Sequence, residues 1–329
     1  METKLTRIPP ATGDTWTGRS LHRTSLVIPC LGTYRWISYP KNPPQTTPLV
    51  LEETTWVVWN TSSFNPLPEA ALLPLAESGP LTEKERFLFD VTGYLVIPDA
   101  LTPAEVEACL AAARRAHASH PADEWQQLGA LYEQEPAVEP LIDHPSVFPK
   151  VRALLGDYFI LQSSWCTMSP PGFSGQNFHQ DGSGVYPFSR LATPTPLLQL
   201  RVGYFLTDQS EPDMGNMVLI PGSHNASEAV PAGMTPEQLP IAQVICGRPG
   251  TALLFHQGVW HCGTKNERDY PRFIQHMVYA PPWLIPSDRR RNDPAFLSRT
   301  TPLRRALLGE WKRPEEPFGI GYPRPPFEV

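Results

Sequence analysis

Phe178-His179-Gln180-Asp181-Gly182 carries more information about this 329-residue chain than any other segment. In an extended strand, residues i and i+2 project to the same side, so His179 and Asp181 can bind one metal ion while Gln180 points away from it. The short spacing therefore predicts a strand here. Two histidines and one carboxylate hold one face of an Fe(II) ion and leave the opposite positions open. A second histidine must then come from elsewhere in the chain.

His261 is the best candidate for this second histidine, because it follows the apolar, strand-like run 251–255 and lies at the mouth of a turn. Arg272 comes eleven positions later (272 − 261 = 11), where a hairpin would return it to the metal. A guanidinium binds a carboxylate through two parallel hydrogen bonds. We therefore expect His179, Asp181 and His261 to bind Fe(II), and Arg272 to bind the distal carboxylate of 2-oxoglutarate.

Composition excludes several classes of function. A formal net charge of −6 provides no basic field for nucleic acid. No apolar run approaches the roughly 18 residues that a membrane span needs. The five cysteines form no CxxC pair, and residues 1–10 lack the apolar region of a secretory signal. We expect a soluble, cytoplasmic protein.

The distribution of proline, tryptophan and apolar runs divides the chain into three segments. Residues 1–80 are rich in proline and tryptophan, and we expect them to form an ordered extension that wraps the core. Residues 81–285 form the main domain. Residues 286–329 hold a short helix at 302–308 and a proline-rich tail.

The main domain begins with helices and continues with strands. Helical signals cover 82–89, 102–118 and 146–155, and short apolar or alternating runs follow at 159–168, 197–207, 217–220, 251–255 and 273–279. Many short strands without intervening helices favour a barrel of two sheets over a parallel sheet. The predicted fold class is mainly β with flanking helices.

Two further segments, Met214–His224 and Phe255–His261, complete a pattern that resembles the phytanoyl-CoA dioxygenase family of Fe(II)/2-oxoglutarate oxygenases. The likeness covers residues 83–285. It implies a double-stranded β-helix, that is, a cupin-like jelly roll. It also implies the iron ligands and the arginine anchor given above, and it makes Tyr204 an aromatic residue of the cosubstrate pocket.

Other residues are candidates for the walls of the site. Gln162 lies on a strand that we expect to face the barrel interior, which would make it a cosubstrate contact. His276 shares a strand face with Arg272, so it lies either in the pocket or in the core. Trp165 and Trp260 are candidate substrate walls, although a buried tryptophan is more often part of a core.

The resemblance implies an Fe(II)- and 2-oxoglutarate-dependent dioxygenase that consumes O2, hydroxylates an unactivated C–H bond of a small molecule and releases succinate and CO2. The same site would serve desaturation, epimerisation or cyclisation, and a non-catalytic metal-binding or scaffold jelly roll is the alternative from another class. Aromatic residues near the site favour a neutral or apolar substrate; they are Trp165, Tyr186, Phe188, Tyr204 and Trp260. The sequence carries no signal for the oligomeric state.

Overall fold

Two antiparallel β-sheets dominate the part of the chain that the structure, a computed structural model, describes, namely residues 73–182 and 191–311. The strands are β1 (Tyr94–Ile97), β2 (Gln126–Gly129), β3 (Ile160–Ser169), β4 (Leu200–Phe205), β5 (Met217–Leu219), β6 (Gln243–Val244), β7 (Ala252–His256), β8 (His261–Gly263) and β9 (Arg272–Ala280). The larger sheet has the order β1-β7-β4-β9-β3-β2, and the smaller has the order β6-β5-β8. This is the jelly-roll architecture that the sequence predicts.

Five α-helices accompany the sheets in the described part of the chain. They are α1 (Glu83–Thr92), α2 (Pro103–His117), α3 (Phe148–Leu155), α4 (Pro294–Arg299) and α5 (Pro302–Leu307). Thr82 and Thr102 begin α1 and α2 with complete capping boxes, each closed by a glutamate three residues later. The predicted helices are confirmed, whereas α4 was missed because it is short and lies in a polar segment.

Strand alternation gives the larger sheet two different faces. Leu253 and Phe255 of β7 pack between the two sheets, together with residues of β5. Their neighbours Ala252 and Leu254 pack on the opposite face, in a second core that includes residues of α1, α2 and α3. A side chain on an inward position of this sheet therefore faces the interior of the jelly roll, and its neighbour faces the helices.

Two local expectations are wrong. His179 lies in a single antiparallel bridge with His261 and not in a strand, because the backbone on either side of it makes no ladder. The residues between His261 and Arg272 are not a hairpin, since β8 belongs to the smaller sheet and β9 to the larger. The chain crosses from one sheet to the other, which puts the two residues on opposite walls of the barrel.

Some predictions lie outside the described residues. They concern most of the proline- and tryptophan-rich extension (residues 1–72), Tyr186 and Phe188 within 183–190, and the tail from 312 onward. Within the described ranges, no helix is long and apolar enough to cross a membrane.

Gly93 ends α1 in the left-handed region, with φ of 81°. A Cβ atom there would overlap Val259 and lie 2.6 Å from Nδ1 of His224. We expect Gly93→Ala to lower the free energy of unfolding by about 3 kcal/mol, from backbone strain and steric overlap together.

Gly309→Ala is the matched control, because Gly309 has φ of 87° but open space around its Cβ position. Urea denaturation should show a loss of only about 1 kcal/mol for this variant. Equal losses for the two variants would mean that the contact with Val259 and His224 contributes nothing.

Candidate metal centre and its cavity

The main chain brings the three candidate ligands together. His179 and His261 exchange two N–H···O=C hydrogen bonds, both 2.9 Å long, and the N–H of Asp181 donates to the carbonyl of Gln257 at 3.2 Å. One ligand atom from each of His179, Asp181 and His261 lies within 4.8 Å of the other two. The sequence predicted that a strand would hold His179 and Asp181 on one side, whereas here a single bridge to His261 and the bond from Asp181 to Gln257 hold this segment.

Hydrogen bonds determine which ring nitrogen carries the hydrogen in both histidines. Nδ1 of His179 lies 2.9 Å from the carbonyl oxygen of Asn177, and Nδ1 of His261 lies 2.9 Å from that of Val259. A carbonyl oxygen only accepts, so each Nδ1 carries the hydrogen and each Nε2 keeps its lone pair.

The ionisation of the histidines suits a metal as well. Burial lowers the pKa of His261 to about 4, with the charge of Asp181 opposing this shift. His261 is therefore neutral at physiological pH. Two imidazoles that each direct Nδ1 to a carbonyl oxygen, together with one carboxylate, form a donor set that fits Fe(II).

Arg272 begins β9 on the opposite wall of the barrel and is 5% exposed. Its Nε donates to the carbonyl of Gly215 at 2.9 Å, and Nη1 donates to Oγ1 of Thr167 at 2.9 Å. Burial lowers the pKa of Arg272 to about 10, so the group stays charged at neutral pH. Within the described ranges no carboxylate forms an ion pair with it, although a buried charge normally has a partner. In this part of the chain, the guanidinium is therefore a buried cation without an acidic partner.

Arg201 is the functional residue that the sequence analysis missed. It lies on β4, its side chain is 12% exposed, and its Nε is 2.5 Å from Oδ2 of Asp181. Its Cζ lies 5.0 Å from the ring centroid of Trp165, a cation–π contact. The sequence did contain a signal, because a single arginine within the apolar strand Leu200–Phe205 must find a buried partner.

These groups line a cavity of about 390 Å³. Besides the metal-site residues, its walls contain Trp165 and His276, for which the sequence left pocket and core open, and Trp125, which the sequence analysis did not consider. The rings of Trp165 and His276 lie 5.6 Å apart. The polar part of the wall includes Gln127, Thr167, Gln176 and Ser287.

Three predicted site residues lie elsewhere. Tyr204 packs in the helix-side core, with its ring 6.2 Å from that of His144, because it alternates with Arg201 along β4. Gln162 does not line the cavity; its Nε2 donates to the carbonyl of Ile285 at 2.6 Å. Trp260 is also absent from the cavity wall.

Comparison with known proteins identifies a family and several relatives. The family model for phytanoyl-CoA dioxygenase (PhyH) matches residues 89–274. The dioxygenase CdmA of Talaromyces verruculosus is 29% identical over 173 residues, which cover 51% of this chain and 56% of that protein. The ectoine dioxygenase of Sphingopyxis alaskensis is 22% identical over 269 residues, which cover 66% of this chain and 86% of that protein.

A solved structure shares the fold. The crystal structure of HygX from Streptomyces hygroscopicus, with nickel and 2-oxoglutarate bound, superimposes with a TM-score of 0.55 at 18% identity. The superposition covers 63% of this chain and 90% of HygX. At this identity the likeness establishes the jelly roll.

We expect the ligand set to bind a divalent ion measurably. Mn(II) at about 100 times its dissociation constant should stabilise the protein by about 2.7 kcal/mol in urea denaturation. His179→Ala should lose this effect because it removes one donor. His276→Leu, a change to a cavity histidine outside the set, should keep it, and the reverse pattern would exclude the assigned ligands.

Proposed function

The chain belongs to the phytanoyl-CoA dioxygenase family, and from this premise we propose that it is a non-haem Fe(II)- and 2-oxoglutarate-dependent dioxygenase that hydroxylates a small organic molecule. The observation that carries the proposal is the position of Arg272, a buried cation without an ion-pair partner among the described residues, in the same cavity as the His179, Asp181 and His261 cluster. A metal site and an anion site in one cavity suit a dicarboxylate that must also reach the metal.

The residues of the chain have separate roles in this proposal. His179, Asp181 and His261 hold the iron, and Arg272 holds the 5-carboxylate of 2-oxoglutarate. When bound, iron with 2-oxoglutarate and O2 supplies C–H hydroxylation chemistry, in which one oxygen atom enters succinate, the other enters the product, and CO2 is released. Thr167 and Gly215 fix the direction of the Arg272 side chain, so the anion site is formed before the cosubstrate arrives.

The substrate would bind against the aromatic part of the cavity. Trp165 and Trp125 supply flat apolar surface there, and Trp125 is 38% exposed, which leaves this side accessible from solvent. A neutral or apolar small molecule fits such walls better than a strongly charged one. His276 lies next to Trp165, and burial keeps its pKa well below the ordinary value, so it would offer a neutral hydrogen-bonding group to the substrate.

Location is part of the same proposal. Cys109, Cys166 and Cys262 are buried free thiols. Free thiols are typical of a reducing compartment, which supports a cytoplasmic enzyme.

Arg272→Gln tests the anion site. The substitution removes the charge and one arm of the guanidinium, so the dissociation constant of 2-oxoglutarate should rise about 100-fold, equivalent to about 2.7 kcal/mol. The measurement is an anaerobic titration of the Fe(II) protein, followed by the visible charge-transfer band of the 2-oxoglutarate chelate. Arg115→Gln, which breaks a surface ion pair with Glu135, is the control and should leave the affinity unchanged. Equal affinities for wild type and Arg272→Gln would contradict the assignment of Arg272.

Asp181→Ala tests catalysis. Loss of the carboxylate donor should abolish succinate formation from 2-oxoglutarate and O2 across a panel of small molecules, whereas Asp157→Ala, a change to a surface carboxylate, should not. Wild-type succinate formation by Asp181→Ala would refute the mechanism. Metal-dependent stabilisation of the wild type without any turnover would favour the non-catalytic metal-binding alternative. Product masses would distinguish hydroxylation from desaturation, epimerisation or cyclisation.

A further inference from the structure

The two carboxylate oxygens of Asp181 face different partners. Oδ1 lies 3.7 Å from Nε2 of His261, on the side of the metal-ligand cluster. Oδ2 lies 2.5 Å from Nε of Arg201, and these two atoms form an ion pair without an aligned hydrogen bond. One oxygen is thus directed to the cluster and the other is occupied by a cation of the chain.

Arg201 is also held in place by a chain of glutamine side chains. Its Nη2 donates to Oε1 of Gln199 at 3.3 Å, and Nε2 of Gln199 donates to Oε1 of Gln162 at 3.2 Å. Gln162 is anchored in turn to the carbonyl of Ile285 at 2.6 Å. Gln162 and Gln199 are almost completely buried, so this chain of amides is a built support and not a surface contact.

Trp165 limits the movement of Arg201 from the cavity side, because its ring lies against the guanidinium. Arg201 is therefore fixed between an indole ring and an amide.

We propose that Arg201 is a positioning residue that restricts Asp181 to coordination of the metal through Oδ1 alone. This inference rests on the proposed function. A carboxylate can bind a cation through one oxygen or through both. With one oxygen bound, the two histidines and Asp181 occupy three of six positions and leave three open.

The number of open positions decides whether the reaction is possible. 2-Oxoglutarate would take two positions if it chelated through its 1-carboxylate and keto oxygen, and O2 would then need the third. If both oxygens of Asp181 bound the metal, only two positions would remain and the cosubstrate would fill them. Arg201 thus preserves the position that O2 requires.

Water-proton relaxation of the Mn(II) protein tests this inference without turnover, because it reports the number of water molecules on the metal. Wild type should carry three such waters, and one after addition of 2-oxoglutarate. Arg201→Met should lose about a third of the inner-sphere relaxivity, since two waters remain. With 2-oxoglutarate its relaxivity should fall to the outer-sphere background.

Three further variants complete the experiment. Arg201→Lys keeps a cation beside Asp181 and should restore part of the relaxivity. Gln199→Leu removes the support while keeping Arg201, and should show a smaller loss than Arg201→Met. Arg115→Met, at the surface pair with Glu135, should match wild type.

The outcomes separate this inference from the function on which it rests. Relaxivities of Arg201→Met and Gln199→Leu equal to wild type, with and without 2-oxoglutarate, would overturn the role of Arg201 alone. Gln199→Leu decides the matter by itself if Arg201→Met does not fold. Absence of Mn(II) binding by the wild type would overturn the proposed function, and the present inference with it.

Discussion

The two hydrogen bonds between His179 and His261 are the constraint on which the site depends. They join a segment without regular secondary structure to the first residue of β8, and they do so at the two residues that would bind iron. Because main-chain pairing sets the separation of the two rings, the site does not need a long ladder on the His179 side. The side-chain bonds from each Nδ1 to a carbonyl two residues earlier then set the ring orientation. The positions of the two histidine rings are therefore determined largely by backbone groups, which substitutions of neighbouring side chains leave in place.

Sequence reasoning reached the fold class and the principal residues because both are encoded locally. Alternating apolar runs identify β3, β7 and β9, and the capping threonines identify α1 and α2. It failed where the prediction depended on which face of a strand a residue occupies. The resemblance placed Tyr204 of β4 in the cosubstrate pocket, whereas the structure puts it in the helix-side core with Leu200 and Val202, on the face opposite Arg201.

The position of Gln162 shows a different difficulty. The register of β3 against β9 shifts between Leu161 and Ser163, so Gln162 occupies an irregularity where the alternation of faces is interrupted. The residue types in this segment do not predict such a register shift, because glutamine, serine and leucine all occur in regular strands. The hydrogen bond of Gln162 to Ile285 spans 123 positions along the chain, a distance at which sequence patterns carry no signal. Its place behind Arg201 follows only from the three-dimensional structure.

Arg201 and Arg272 line the same cavity, and they differ in whether a carboxylate of the described residues is paired with them. At an effective dielectric constant of about 20, unit charges 4 Å apart interact by about 4 kcal/mol, so a buried guanidinium strongly favours any anion that reaches it. Arg201 already has Asp181, and it is closed in by Trp165 and Gln199. Among the described residues, Arg272 donates to neutral acceptors alone, namely Thr167 and the carbonyl of Gly215. A dicarboxylate that enters the cavity therefore gains most at Arg272, because binding at Arg201 would require it to displace the carboxylate of Asp181. In the proposed function, this difference in pairing would orient 2-oxoglutarate with its distal carboxylate at β9 and its keto acid end toward the cluster.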